Sequence, residues 1–591
     1  MRTTPSTAAR AFAAVLLLAT ASRGAVPASA TPQSTVAALA VAFVAESERR
    51  DPLFADGIGI HAYDDRLDDY SAAGHARRIA WLRSWQARLR AAPAATADDA
   101  ADLHALRDTV DLELFEDATV RPFHTDPTFY TGVIGNAVYA LTGRHYAPAE
   151  ERLRHLAPRL AAIPRVVAAA EANLTRPTAV ATRQAIDENA GNIGLYASLP
   201  GEARAASPAV RRAVARALPA ALASLRDFEA FLRGPLLRRS SASPRVGAAV
   251  FDRELELADG TTESRATLVA DAWADFRKNR AEMLRLALPF DRRFFPDRAA
   301  DETKGNAADV VVRRVLDRLA LDHPSREGIF STAKSDVEQS EAFLTAHPVV
   351  VLPRPSTLQV VPTPDFMAGF SGASLDPAGP FSPLAESYYY IDRIPKSWPQ
   401  SRVDSYLRDF NDYEMRILSM HEAVPGHYVQ FRYNAHVPSL VRRVFANGSF
   451  VEGWAVYVEG MMLDAGYGGN DPRLRLFQLK WRLREEANAI IDAAYHTGGL
   501  TQANCFDLLE RQAYQERAEA LTKWHRLQLS HDQLTSYFVG LDAIRHAQAA
   551  ERARAGAGFT VARFNAALLA MGSVEPRFIE SLLEDRSPPA N

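Results

Sequence analysis

Apolar residues recur three and four positions apart through most of the chain. In "IAWLRSWQARLR" they fall at Ile79, Leu82, Trp85 and Leu89, and in "DLHALRDTVDLEL" at Leu103, Leu106, Val110 and Leu114. That period places each set on one face of a helix, so the first half of the chain is expected to be built from long amphipathic helices. Proline and glycine clusters such as "RPTAVATR" and "SLPGEARAASPAV" mark the connections between them. No fixed-period repeat or low-complexity tract is visible.

The pattern changes between about residues 346 and 400. "HPVVVLPRPSTLQVVPTPDF" alternates β-branched runs with prolines, and "ESYYYIDRIP" is aromatic and strand-prone, so a small β element is expected here. The second segment, with Tyr389 at its centre, is read as an edge strand on which an extended ligand aligns by backbone hydrogen bonds. Helical spacing resumes at "VDSYLRDFNDYEMRILSMHEAV". The organisation expected is a leader over 1–30, a helical region over 31–345 and a second region over 346–591.

The leader reading rests on Arg2 and Arg10 before the apolar run "AFAAVLLLATA", and on Ala28 and Ala30 in a small-residue cleavage pattern. The run is short for a bilayer core of roughly 30 Å. The mature protein is therefore expected to be exported, periplasmic or extracellular, without stable membrane insertion. Loss of residues 1–30 removes Arg2, Arg10 and Arg23 and no acid, so the formal net charge moves from -3 to -6, which argues against nucleic acid as a partner. Cys505 is the single cysteine, so no intramolecular disulfide forms and any metal site must use His, Asp or Glu.

The densest candidate chemistry lies in "MHEAVPGHYVQ". His421 and Glu422 open like an HExxH zinc helix, but the position four after His421 is Pro425. On a straight helix His421 and His427 would point about 240° apart. Pro425 removes an amide donor and clashes with the carbonyl of His421, and Gly426 frees the backbone to turn, so His427 has a route back towards His421. A catalytic zinc needs a third protein ligand, an open position and a carboxylate to take a proton from water. Glu422 is the natural base. "FVEGWAVYVEGMML" supplies Glu452 and, one heptad on, Glu459, one to ligate and one to orient a histidine. A competing nucleophile elbow in "GFSGA", with Gly369 and Ser371, fails at Ala373.

"HEAVPGH", "EGWAVYVE", "IIDAAYHTGGLT" and "DQLTSYFVGLDAI" together resemble the DUF885 family of bacterial proteins, most clearly over about residues 350–575. The resemblance implies a mainly α, two-lobed metallopeptidase-like fold in the style of neurolysin and angiotensin-converting enzyme, with one Zn²⁺ in a deep cleft. It makes His421, His427 and Glu452 ligands and Glu422 the general base. His496 and Tyr537, in the two later segments, become oxyanion donors, and Arg545 a candidate grip for a substrate carboxylate. Many members carry a second histidine where this chain has Tyr428, and several carry a basic residue where it has Asn488. The expected activity is hydrolysis of short or unfolded peptides. The alternatives are a metal-dependent amidohydrolase on a non-peptide amide and a periplasmic binding protein without turnover.

Overall fold

The computed structural model describes residues 34–586 apart from 304, 365, 366 and 368–371. The expected leader over 1–30 and the Gly369–Ser371 part of the elbow lie outside the described residues. The described chain is mainly helical, with three short strands.

The two helical stripes read from the sequence form as expected. Helix Ala72–Ala91 starts where Ser71 Oγ accepts from the Gly74 amide at 3.2 Å. Helix Ala97–Phe115 starts where Thr96 accepts from Asp99 at 3.0 Å. Leu82, Trp85 and Leu89 pack against Leu103, Leu106 and Val110 in one core, with Ile79 and Leu114 half-buried at its border. A second core is built within residues 70–237, around Tyr130, Leu160, Tyr196 and Phe228.

The largest core holds the site, and it recruits residues well before 346. Leu255, Leu268, Phe276, Met283 and Val315 pack in it alongside Met420, Trp454 and Leu483. The compositional change near 346 thus marks where the sheet begins, while the core behind the site also draws on Ala101 and on residues from Leu255 onward.

The sheet consists of β1 (Leu358–Pro362), β2 (Ala373–Asp376) and β3 (Ser387–Ile391). Its order is β1-β3-β2, with β3 parallel to β1 and antiparallel to β2. Tyr389 pairs with Val360 on one side and Leu375 on the other. This corrects the edge-strand expectation: both edges of β3 are already bonded, so it offers no free ladder to a ligand. The reason is legible in burial, since every residue of β3 is buried, as a central strand demands.

Five helices then build the site: α1 (Asp412–Glu422), α2 (His427–Asn434), α3 (Gly448–Asp464), α4 (Pro472–His496) and α5 (Ser536–Ala555). Asn411 caps α1 through the Tyr413 and Glu414 amides at 3.0 and 3.1 Å. Asn447 caps α3 through the Phe450 amide at 3.0 Å. Pro472 begins α4, where its missing amide hydrogen costs nothing. Glu414 of α1 takes a hydrogen bond from Trp481 Nε1 at 2.6 Å and another from Lys480 Nζ, which locks α1 to α4 in a buried polar contact.

Candidate metal centre

Helix α1 stops at Glu422, and the chain turns through residues 423–426 before α2 begins at His427. The Gly426 amide donates to the Met420 carbonyl at 2.9 Å, and the Val424 amide to the Ser419 carbonyl at 3.1 Å, so the end of α1 is closed by the turn itself. Only glycine fits at 426: a Cβ there would lie 1.8 Å from the His421 carbonyl oxygen. The turn folds His427 back beside His421, with ring centroids 4.8 Å apart and planes nearly perpendicular at 87°.

Helix α3 brings the carboxylate. Glu452 Oε2 lies 3.5 Å from His421 Nε2 and 3.4 Å from His427 Nε2. No hydrogen bond joins Glu452 Oε2 to either ring, and His427 Nδ1 is buried without a hydrogen-bond partner. Burial works against charge on Glu452, but the two imidazoles outweigh it and hold the carboxyl below the usual carboxylate range. On the far side of His421, Nδ1 meets Glu459 Oε1 at 2.9 Å. Burial favours a neutral His421, yet Glu452 and Glu459 on its two nitrogens push its pKa well up.

The first three residues of the "EGWA" run each have a physical job. Trp454 Nε1 donates to the Pro425 carbonyl at 3.0 Å and so pins the turn to α3. Gly453 faces Gly540 of α5, where an added Cβ would come within 2.3 Å of the Gly540 carbonyl carbon. Glu452, Gly453 and Trp454 therefore supply, in order, the carboxylate, the close helix contact and the clamp on the histidine turn.

The donor set suits a divalent metal. The ligand atoms of His421, His427 and Glu452 lie within 4.8 Å of one another, and no arginine or lysine is ion-paired with Glu452 among the described residues. Two other groupings of acids and histidine differ on that point. At His104, Asp108 and Glu575, Arg577 pairs with both acids at 3.3 Å, and at Asp56, His61 and Asp64, Arg159 reaches Asp56 at 2.7 Å. There an arginine already supplies the positive charge; around His421, imidazole and carboxylate donors converge on a common point, as a two-His one-carboxylate zinc site requires.

A cavity of about 800 Å³ opens beside this trio, and His421, Glu422 and Tyr537 line it. Tyr537, near the start of α5, stacks at 6.4 Å from His421, and its hydroxyl accepts from Arg526 Nη2 at 3.4 Å and Gln533 Nε2 at 3.5 Å. Two donors on that oxygen leave its own hydrogen available to the cavity.

A family model described as a bacterial protein of unknown function, DUF885, matches residues 52–583. The chain belongs to DUF885. Two solved structures are similar to this DUF885 chain along nearly its whole length. One, a protein provisionally described as a lipoprotein of unknown function from Shewanella oneidensis, shares 26% identity at a TM-score of 0.77, with 93% of this chain and 100% of that one covered. The other, likewise provisionally described as a lipoprotein and from Colwellia psychrerythraea, shares the fold at 15% identity and a TM-score of 0.76, with 93% and 99% covered. No functionally curated protein matches the chain.

Three residues singled out in the sequence are not brought to the cavity wall. His496 ends α4 among Phe251, Tyr495 and His531, and its Nε2 meets the Ser530 carbonyl at 3.1 Å. Burial, then His531, pushes its pKa down to about 4, so it is a neutral core histidine. Arg545 pairs with Asp275 at 2.9 Å, about two turns of α5 beyond Tyr537. Tyr389 is fully buried on β3 behind α1. Conversely, the cavity is lined by Arg484, Lys523 and Arg526, which no sequence motif marks, and by Asn488. Helical spacing alone makes such cations look like a solvated face.

Proposed function

We propose that this DUF885 chain is an exported zinc-dependent peptidase acting on short or unfolded peptides. The observation that carries the reading is the convergence of His421, His427 and Glu452, with the Glu422 carboxylate next to them on a cavity wall. With this proposal goes the reading of the fold as a two-lobed, metallopeptidase-like shell.

His421, His427 and Glu452 would hold Zn²⁺, which when bound supplies a Lewis acid for a carbonyl and lowers the pKa of water. Glu422 takes the proton of the attacking water and returns it to the leaving amine, a role for which its place beside a ligand and on the cavity wall fits. Tyr537 donates its hydroxyl hydrogen to the oxyanion as charge develops there. Glu459 holds the His421 ring by its Nδ1, which fixes the ring orientation and leaves Nε2 to the metal. With His496 in the core, Tyr537 carries the oxyanion role alone among the side chains singled out in the sequence.

Export is supported by the Arg2–Arg10 leader pattern and agrees with the lipoprotein descriptions of the two solved relatives. No helix among the described residues is long and apolar enough to cross a membrane. The deciding experiment incubates the zinc-loaded protein with a peptide library and follows cleavage by mass spectrometry. Cleavage that falls ~10²- to 10⁴-fold in Glu422→Gln, with zinc retained, supports the peptidase. Retained zinc with no cleaved peptide overturns it in favour of an amidohydrolase or a binding protein.

A further inference from the structure

The cavity beside the metal ligands carries three cations on one wall. Arg484, Lys523 and Arg526 gather around Glu519, with Asp409 and Glu414 lining the same cavity: Arg484 Nη2 is 2.9 Å from Glu519 and Lys523 Nζ 3.6 Å. Lys523 is only 2% exposed, and its ammonium group lies 3.6 Å from Glu519 Oε1. A buried ammonium that shares its one close carboxylate with an arginine gains from a second anion. Burial, then the Arg484 charge, pushes the Lys523 pKa down to about 7, against the opposing pull of Glu519.

The wall stands at a definite place relative to the chemistry. Tyr537 spans the gap, its ring 6.4 Å from that of His421 and its hydroxyl 3.4 Å from Arg526. At ~3.5 Å per extended residue, the cations lie no more than about four residues from the metal ligands. On the other side of Glu452 a separate cavity of about 620 Å³ is lined by Glu113, Glu116, Asp259 and Asp532. Glu452 and Gln533 line this second cavity and Tyr537 the first, with Gln533 Nε2 3.5 Å from the Tyr537 hydroxyl.

We propose that the wall formed by Arg484, Lys523 and Arg526 receives the free C-terminal carboxylate of a peptide, so that the chain removes short C-terminal pieces. This rests on the peptidase reading above. A carboxylate there forms charge-assisted hydrogen bonds with Lys523 and Arg484, which otherwise share Glu519. The scissile bond then lies one to about three residues upstream, at the metal ligands.

The test compares N-terminally labelled hexapeptides free of Asp and Glu, each made as a free acid and as a C-terminal amide. Binding is read by fluorescence anisotropy on zinc-loaded Glu422→Gln, which separates recognition from turnover. The expected result is that free acids bind tenfold or more tighter than amides, and that the gap collapses in the additional variant Lys523→Met. Equal binding of acid and amide, binding of neither, or a gap that persists without Lys523 overturns the proposal. The acid–amide comparison needs no change at 523, so it stands even where Lys523→Met fails to fold. If the wild type cleaves nothing while the acid preference persists, the carboxylate site stands and the peptidase reading falls.

Discussion

His421 and Glu459 are joined by a 2.9 Å hydrogen bond between Nδ1 and Oε1, and both side chains are shut away from solvent. The bond decides which ring nitrogen of His421 faces the cavity, because Nδ1 is committed to Glu459 and Nε2 alone looks towards Glu452. Glu459→Gln is expected to weaken zinc binding ~10- to 100-fold while leaving the fold intact, measured by competition with a chromogenic chelator. Unchanged affinity would mean that the ring is positioned by packing.

His427→Ala should take zinc from about one per chain to near none, read by elemental mass spectrometry on folded protein. Retention of a full equivalent would remove His427 from the donor set. In the same experiment Glu422→Gln should keep its metal.

Gly426→Ala places a methyl group 1.8 Å from the His421 carbonyl oxygen, a contact no rotamer relieves. The turn between α1 and α2 has to open, and with it the His421–His427 pair. Urea unfolding of the metal-free variant should show a loss of at least ~2 kcal/mol, together with loss of zinc binding.

Tyr537→Phe removes the hydroxyl and nothing else. If the Tyr537 hydrogen meets the oxyanion, kcat falls ~10²- to 10³-fold with KM little changed. A variant that instead raises KM at constant kcat would make Tyr537 a substrate-binding residue.

Asp336 gives a pH dependence independent of the metal. It is buried, with Arg416 3.7 Å away, and burial outweighs that cation and raises its pKa to about 7. Asp412 adds to the rise. The native state therefore holds this proton more tightly than the unfolded chain, whose carboxyl titrates near ~4. Its contribution is most favourable below ~4, is lost as pH rises to about 7 and is constant above that. Asp336→Asn should thus gain on the wild type between pH 4.5 and pH 8 by roughly 2 to 4 kcal/mol in urea unfolding of metal-free protein. A constant difference across that range would mean the carboxyl titrates normally.

The linear order of residues brings the two histidines together because their geometry is local: His421, Pro425, Gly426 and His427 set one turn. Glu452 and Glu459 sit a heptad apart on one helix, and the choice of Glu452 as the third donor comes from the family resemblance. Sheet order is not local: nothing in "ESYYYID" says that β1 and β2 flank it on both sides, and the edge-strand expectation fails for that reason. His496 lies off the cavity because motif proximity ignores helix length. Eight residues of α4 separate it from Asn488, ~12 Å at helical rise, enough to carry it out of the cavity and into the core. Lys523 was invisible for the opposite reason, since a lysine in a charged helix reads as solvated until tertiary packing buries it.

The contact of Gly453 with Gly540 ties two working parts of the site to one another without any side chain between them. Glu452 is the residue just before one glycine, and Tyr537 lies three before the other. Side chains at an interface can rotate and absorb a shift; two touching backbones cannot. The separation between carboxylate and hydroxyl is therefore a dimension set by main-chain contact, and it will hold its value when substrate enters, while the surrounding walls adjust to it.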